Sequence, residues 1–298
     1  MTGQGTNLSG GMMQPLVSTD WLAEHLGAPD LVVFDASWYL PNEPQDPRAE
    51  FRTAHIPTAR FFDIDAIADP DSDLPHMVPS AGRFARLMGA LGVSNASRIV
   101  FYDQKGISTA ARGWWMMGLF GHDQAAVLDG GLPKWRVEGR AIETGEPPAP
   151  PPCDFLPCLR AARLRGVGDM LRNVASGEEL VLDARAAARF HAEAPEPRPG
   201  LPSGHIPGSR SLPYGEVLVG GQTLLPPEAL RARFAREGVD GSRRVVTSCG
   251  SGVSAAVLTL AMAHAGLPSG ALYDGSWTEW ASRPDTPKAP LRGTADHG

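Results

Sequence analysis

Short apolar runs alternate with helical patterns along most of the chain. Runs such as LVVFD (31–35) and VVTS (245–248) are rich in β-branched residues, which favour buried strands. Between them, AGRFARLMGAL (81–91) and PEALRARFAREG (227–238) place apolar residues at helical spacing. This alternation predicts an α/β fold with mainly parallel sheets, in which ligands bind beyond the carboxyl ends of the strands.

The pattern occurs twice. Four segments of the first half return in the second half, in the same order and at nearly the same spacing, which indicates a duplicated domain. The pairs are LVVFDASWYL (31–40) with LVLDARAAARF (180–190), AHIPTAR (54–60) with GHIPGSR (204–210), IVFYDQKGISTAA (99–111) with VVTSCGSGVSAAV (245–257), and VLDGGLPKW (127–135) with LYDGSWTEW (272–280).

A proline-rich stretch separates the two copies. The prolines block both helix and central strand, so we expect an extended linker there. The predicted organisation is a disordered leader (1–13), a first domain (14–142), a linker (143–160) and a second domain (161–298). The leader has neither the basic residues nor the apolar core of a signal or transit peptide.

Composition narrows the class of protein. The apolar content of 42% suits a folded globular chain, and a net charge of −6 with scattered arginines argues against nucleic-acid binding. No apolar run is long enough to span a membrane. The cysteines, Cys153, Cys158 and Cys249, are too few for a disulfide framework, so we expect a cytoplasmic location. We interpret the first two as incidental linker thiols, since they have no partners for a zinc site.

Cys249 lies at the junction of a predicted strand and a predicted helix. Backbone N–H groups of such a loop and the helix dipole favour an anion, so they lower the pKa of a thiol and make it nucleophilic. Gly250 and Gly252 let the backbone approach the sulfur closely. The alternative is a cysteine packed as a small hydrophobe, but the polar loop favours the reactive thiolate. Only the second copy carries the thiol, because Asp103 takes this position in the first.

Two other chemistries could use this loop. A cysteine phosphatase needs an arginine to grip the phosphoryl group, and the corresponding position is Ala255. The segment GSGVSA (250–255) with Asp274 further on matches a dinucleotide-binding fingerprint. However, too few residues follow Asp274 for a cofactor domain, and the first copy keeps Asp129 without the glycines. We therefore interpret both aspartates as repeated structural positions.

The tandem Asp-Ala/Ser strands, paired HIP motifs, cysteine loop and DGG…W motif together resemble the two-domain rhodanese superfamily over about residues 14–283. Thiosulfate-using members carry basic residues just after the cysteine. The neutral stretch from Cys249 to Val253 resembles instead the branch that acts on 3-mercaptopyruvate, with Ser254 where that branch usually has threonine. The resemblance implies two tandem rhodanese-like domains, each a mainly parallel sheet flanked by helices, and no metal or organic cofactor.

The resemblance also implies the residues of a site. Arg189 and Arg198 would hold the carboxylate and keto group of the substrate, and Glu196 would orient one of them. Arg185 is expected to be structural. The substrate-binding loop positions would be Gly250, Gly252, Val253 and Ser254.

A second part of the implied site comes from the first domain. The stretch 61–79 resembles the family segment that supplies an aspartate and a histidine to a Ser-His-Asp relay, here Asp65 and His76 acting with Ser251. Such a relay would protonate the enol or enolate of departing pyruvate.

The implied reaction moves the sulfur of 3-mercaptopyruvate onto Cys249 as a persulfide and releases pyruvate. Cyanide, a small thiol or thioredoxin would then remove the outer sulfur. Two alternatives stay open: a thiosulfate:cyanide sulfurtransferase, disfavoured by the neutral Gly250-Ser251 pair, and a non-catalytic rhodanese-like binding module, disfavoured by the intact cysteine loop.

Overall fold

The computed structural model describes residues 13–268 and 270–290. Two five-stranded parallel sheets, one in each predicted domain, confirm the α/β fold. Apart from Met13, the predicted leader lies outside the described residues, as do residues 291–298. None of the helices in the described part of the chain has the length and apolar character needed to cross a membrane.

The N-terminal half, taken here as residues 13–142, contains the first sheet. Its strands are β1 (Leu16–Val17), β2 (Leu31–Asp35), β3 (Arg60–Phe61), β4 (Arg98–Tyr102) and β5 (Ala125–Leu128). Its helices are α1 (Thr19–His25), α2 (Pro47–Thr53), α3 (Ile64–Ile67), α4 (Ala81–Ala90), α5 (Ala110–Leu119) and α6 (Gly131–Val137). The strand order is β1-β5-β4-β2-β3, and β2 and β4 are almost wholly buried because helices cover both faces.

The C-terminal half, from residue 161 onward, repeats this topology. Its strands are β6 (Leu164–Arg165), β7 (Glu179–Asp183), β8 (Arg210–Ser211), β9 (Leu218–Val219), β10 (Thr223–Leu224), β11 (Arg244–Ser248) and β12 (Ala271–Tyr273). Its helices are α7 (Val167–Ser176), α8 (Ala187–Phe190), α9 (Pro227–Arg236), α10 (Ala255–His264) and α11 (Ser276–Ser282), with 3-10 turns at Ala161–Arg163 and Tyr214–Val217. The sheet order β6-β12-β11-β7-β8 matches the first sheet strand for strand, while β9 and β10 form a separate antiparallel pair.

Helices α5 and α10 join the two halves. They pack against each other, and one apolar cluster runs through both sheets, including Phe101 and Trp115 from the first half and Leu182 and Leu258 from the second. Both helices are therefore buried on nearly all sides, as expected for helices enclosed between two layers. This packing brings the loops at the amino ends of α5 and α10 to the boundary between the halves.

The proline-rich linker (143–160) contains no helix or strand, but it is not a free tether. The amide of Cys153 donates to the carbonyl of Gly89 at 2.9 Å, and that of Cys158 donates to Phe120 at 2.8 Å. Phe155, between them, is buried against the first half. Both linker cysteines are free thiols on the surface.

Candidate active site

Cys249 directly follows β11 and precedes α10, so it lies at the carboxyl edge of the second sheet. The residue is only 1% exposed and belongs to the large apolar cluster. Its burial exceeds what its polar sequence neighbours suggested, because residues of the N-terminal half cover the loop. It nevertheless lines a cavity between the halves, which a merely packed cysteine would not do.

The cavity has a volume of about 290 Å³ and walls from both halves. The predicted site residues on its wall are Arg189, Arg198, Cys249, Gly250, Ser251, Val253 and Ser254. The N-terminal half contributes Trp38, Leu40, Glu43, Lys105, Ser108 and Thr109. The volume and the few polar groups suit a small-molecule substrate.

Glu196 organises the arginines on one side of the cavity. Its side chain is 3% exposed and lies between Arg189, with Oε2 at 2.5 Å from Nη2, and Arg185, with Oε1 at 2.7 Å from Nη1. Arg185 is buried and also pairs with Asp183, so its charge is neutralised within the protein. Arg189 keeps part of its guanidinium toward the cavity.

Arg198 differs from both, since it makes no hydrogen bond or ion pair with another described residue. Its guanidinium lies 5.8 Å from the centre of the Trp38 ring. Burial lowers the pKa of Arg198, while the neighbouring Cys249 and Asp65 side chains act in the opposite direction. A half-buried guanidinium with free donors is suited to bind a carboxylate.

The structure brings Asp65, His76 and Ser251 together across the boundary. His76 Nδ1 lies 2.9 Å from Ser251 Oγ, and His76 Nε2 lies 3.0 Å from Asp65 Oδ1. Trp38 Nε1 donates to the other carboxylate oxygen of Asp65 at 3.0 Å. The hydrogen bond from His76 lowers the pKa of Asp65 and keeps it ionised. The arrangement is a chain of hydrogen bonds that ends at the cavity wall.

The equivalent loop of the N-terminal half shows what this loop geometry binds. The carboxylate of Asp103 accepts hydrogen bonds from the backbone amides of Lys105, Ser108, Thr109 and Ala110, at 2.8 to 2.9 Å. The first copy of the loop thus encloses a negative charge supplied by the chain itself.

In the C-terminal half, Cys249 stands in place of that aspartate. The amides of Ser251, Ser254 and Ala255, which correspond to three of the four donors, make no hydrogen bond with the described residues. The amides of Cys249 and Gly252 are engaged by Ser276 Oγ, each at 3.1 Å. The expectation that the loop amides serve an anion therefore applies to the amides of Ser251, Ser254 and Ala255.

Neighbouring atoms limit the space at both loop glycines. A Cβ on Gly250 would lie 3.1 Å from Arg189 Nη2, and one on Gly252 would lie 2.9 Å from the carbonyl oxygen of Asp274. Gly252 also has a φ of 76°, in the left-handed region that favours glycine. Gly252, Glu196, His76 and Asp65 are not on the cavity wall.

The sequence prediction missed several side chains of this region. Ser276 takes the position of Gly131 in the repeated DGG…W motif, so comparison of the copies could have found it. Lys105, at the position of Ser251, reaches the cavity wall and pairs with Glu43 at 2.6 Å. Trp38 lies in the repeated strand segment, but no sequence motif marks it as a site residue. No group of His, Cys, Asp and Glu within the described ranges could hold a metal ion.

Comparison with known proteins fits this geometry. The rhodanese-like domain family matches residues 18–138 and 167–283. The chain is 42% identical to the 3-mercaptopyruvate sulfurtransferase of Rattus norvegicus over 91% of this chain and 93% of the rat protein. It is 40% identical to thiosulfate/3-mercaptopyruvate sulfurtransferase 1, mitochondrial, of Arabidopsis thaliana, over 92% of this chain and 78% of the plant protein.

Among solved structures, SseA from Escherichia coli, described as a 3-mercaptopyruvate sulfotransferase, superposes with a TM-score of 0.80 at 37% identity. The match covers 89% of this chain and 99% of SseA. The chain therefore belongs to the rhodanese family, with two rhodanese-like domains in tandem.

Proposed function

We propose that the protein is a sulfurtransferase that takes sulfur from 3-mercaptopyruvate and passes it through a persulfide on Cys249 to a thiophilic acceptor. One observation carries the proposal: the thiol of Cys249 shares a small cavity with Arg198, a guanidinium with no hydrogen-bonding partner among the described residues. A nucleophilic sulfur and a free carboxylate-binding group are what a thiol-bearing 2-oxo acid requires. The names of the rat and Escherichia coli relatives support the same donor.

In the first half-reaction the Cys249 thiolate attacks the thiol sulfur of the substrate. A sulfur–sulfur bond forms, the carbon–sulfur bond breaks, and the electron pair moves to carbon to give the enolate of pyruvate. The proton of the substrate thiol ends on that carbon, so the products are pyruvate and an ionised Cys249 persulfide. The hydrogen-bonded chain from Asp65 through His76 to Ser251 would move this proton.

The persulfide carries its charge where the first copy of the loop carries the carboxylate of Asp103. The unengaged amides of Ser251, Ser254 and Ala255 would stabilise it, as their counterparts stabilise Asp103. Arg198 would bind the substrate carboxylate, and Arg189, held by Glu196, would contact the keto oxygen.

The second half-reaction delivers the outer sulfur to cyanide, a small thiol or thioredoxin. Thiosulfate is the rival donor, and the plant relative carries both donors in its name. The neutral Gly250-Ser251 pair disfavours a doubly charged donor. The cytoplasmic location expected from the cysteines stays a prediction, because that plant relative is a mitochondrial protein.

The test is to measure initial rates of pyruvate and thiocyanate formation with cyanide as acceptor, using 3-mercaptopyruvate or thiosulfate as donor. We expect a strong preference for 3-mercaptopyruvate, lost in Cys249→Ser, with Cys153→Ser as the matched control because Cys153 is an exposed linker thiol. A preference for thiosulfate would overturn the donor assignment alone. No turnover with either donor would indicate a binding module.

A further inference from the structure

Arg112 is a charged residue in an otherwise apolar helix. It belongs to α5, its side chain is fully buried, and its guanidinium lies 4.7 Å from the centre of the Trp115 ring. Its Nε makes no hydrogen bond within the described part of the chain. A buried charge that is incompletely satisfied is costly, so its presence calls for an explanation other than packing.

The guanidinium of Arg112 contacts both parts of the proposed transfer site. Nη2 donates to the carbonyl oxygen of His76 at 2.6 Å, and Nη1 donates to the carbonyl oxygen of Gly252 at 3.3 Å. Nη2 also pairs with the carboxylate of Asp274 at 2.8 Å. One side chain of the N-terminal half therefore connects the relay histidine with the cysteine loop of the C-terminal half.

The same ion pair holds the backbone around His76 in an uncommon shape. His76 has a φ of 61°, in the left-handed region that residues with a Cβ seldom adopt. Its carbonyl is held by Arg112, and two residues later the amide of Val78 donates to Asp274 Oδ2 at 2.6 Å. Arg112 and Asp274 thus bind the backbone on both sides of the turn that directs the His76 imidazole toward Ser251.

The duplication supplies a comparison inside the molecule. Asp129, the counterpart of Asp274, accepts from the amide of Leu224 in the other half at 3.0 Å, so this backbone contact occurs twice. The counterpart of Arg112 in α10 is Leu258, which is apolar and buried. Joining the halves therefore does not require the arginine, which occurs only on the side that carries the histidine.

We propose that Arg112, paired with Asp274, is a positioning residue of the transfer reaction, which fixes His76 relative to the cysteine loop without touching the substrate. This inference rests on the proposed function and adds to it the residue that aligns the relay. Because the arginines of the cavity are not involved, loss of Arg112 should affect proton transfer more than substrate binding.

The experiment is a double-mutant cycle on the full-length protein with 3-mercaptopyruvate and cyanide. We expect Arg112→Leu, which copies the residue of the other half, to lower kcat about 10- to 100-fold, within the range of general acid–base effects. We expect KM to change less than about threefold, because the substrate-binding groups stay in place. The Ser251→Ala variant already interrupts the relay. In that background, Arg112→Leu should lower kcat by less than about twofold.

A second variant separates positioning from folding. Arg112→Leu combined with Asp274→Asn removes both buried charges, so it should recover thermal stability while kcat stays low. Recovery of kcat together with stability would overturn the inference, as would additive losses in the Ser251→Ala background or a normal kcat in Arg112→Leu. A wild-type protein without turnover would instead overturn the proposed function, and this inference with it.

Discussion

Arg189 and Arg198 face the same cavity, yet their charges are engaged differently. Arg189 is held by the buried carboxylate of Glu196, which fixes its direction and offsets part of its charge. Arg198 lies beside the ring of Trp38, makes no hydrogen bond or ion pair with the described residues, and is partly desolvated. A substrate carboxylate gains more from a charge that is not already neutralised, so Arg198 should contribute more to the binding of the donor.

Replacing Arg198 tests this directly. We expect Arg198→Met to raise KM for 3-mercaptopyruvate about 10- to 100-fold, the loss of a hydrogen-bonded charge pair, with a smaller effect on kcat. Steady-state kinetics over a wide donor range measure both constants. Arg48→Met is the matched control, because Arg48 pairs with Glu146 on the surface and should leave both constants unchanged. An unchanged KM in Arg198→Met would show that Arg198 does not bind the donor.

Residue roles could be predicted from sequence only where the chemistry is local or a resemblance supplied it. Cys249 was identifiable from its place between a strand and a helix. His76 and Ser251 are 175 positions apart, and nothing in their spacing predicts their contact. Arg112 was overlooked because a single charge in an apolar helix is normally solvated, although Leu258 at the repeated position could have drawn attention to it.

At the scale of elements, the equivalent strands β2 and β7 each end in an aspartate, and the two aspartates are stabilised in different ways. At the end of β7, Asp183 is paired with Arg185, with Nη2 at 2.6 Å from Oδ2. At the end of β2, the buried Asp35 pairs with no cation among the described residues and accepts hydrogen bonds from Ser37 and Gln104. Burial raises the pKa of Asp35 to about 6 from an ordinary 3.8.

This difference predicts a pH dependence of stability. The folded protein keeps the Asp35 proton up to about pH 6, whereas the unfolded chain releases it near 3.8, so stability falls as the pH rises between these values. The loss is on the order of 3 kcal/mol once the group is fully ionised. The side chain introduced by Asp35→Asn cannot ionise. As the pH rises, the free energy of unfolding of this variant should therefore increase relative to that of the wild type, by up to that amount.

Urea unfolding of both proteins from about pH 4.5 to 7.5 measures this difference directly. All other titrating groups are common to the two chains and cancel in the comparison. Parallel stability curves would show that Asp35 is ionised throughout, with its charge carried by the hydrogen bonds from Ser37 and Gln104.

The elements themselves could largely be predicted from sequence. The strands β2, β4, β7 and β11 coincide with apolar runs, and the repeat predicts the shared topology. The pair β9 and β10 was not predicted, because two-residue strands have no measurable period. The linker was expected to be extended, but its hydrogen bonds to the first half depend on packing that the prolines do not encode.

At the scale of the molecule, the duplicated domains make the same contact twice with different consequences. Asp129 and Asp274 each accept an amide hydrogen bond from the opposite half, but only Asp274 also carries the buried Arg112. Burial raises the pKa of Asp129, although the hydrogen bond from Leu224 and the charges of Lys134 and His264 act in the opposite direction. The contact that the two halves share is thus structural, and Arg112 adds a second role on one side.

The matched pair Asp129→Asn and Asp274→Asn should separate these consequences. Asn keeps the oxygen that accepts the amide, so Asp129→Asn should change the free energy of unfolding by less than about 1 kcal/mol and leave turnover unchanged. Asp274→Asn leaves Arg112 buried without its counter-charge and should cost about 3–5 kcal/mol, with lower turnover. Urea unfolding and pyruvate formation measure the two effects. Equal losses in both variants would mean that the two contacts are equivalent and that the charge pair has no separate role. Unequal losses would assign the Asp274 side of the interface to catalysis and the Asp129 side to assembly.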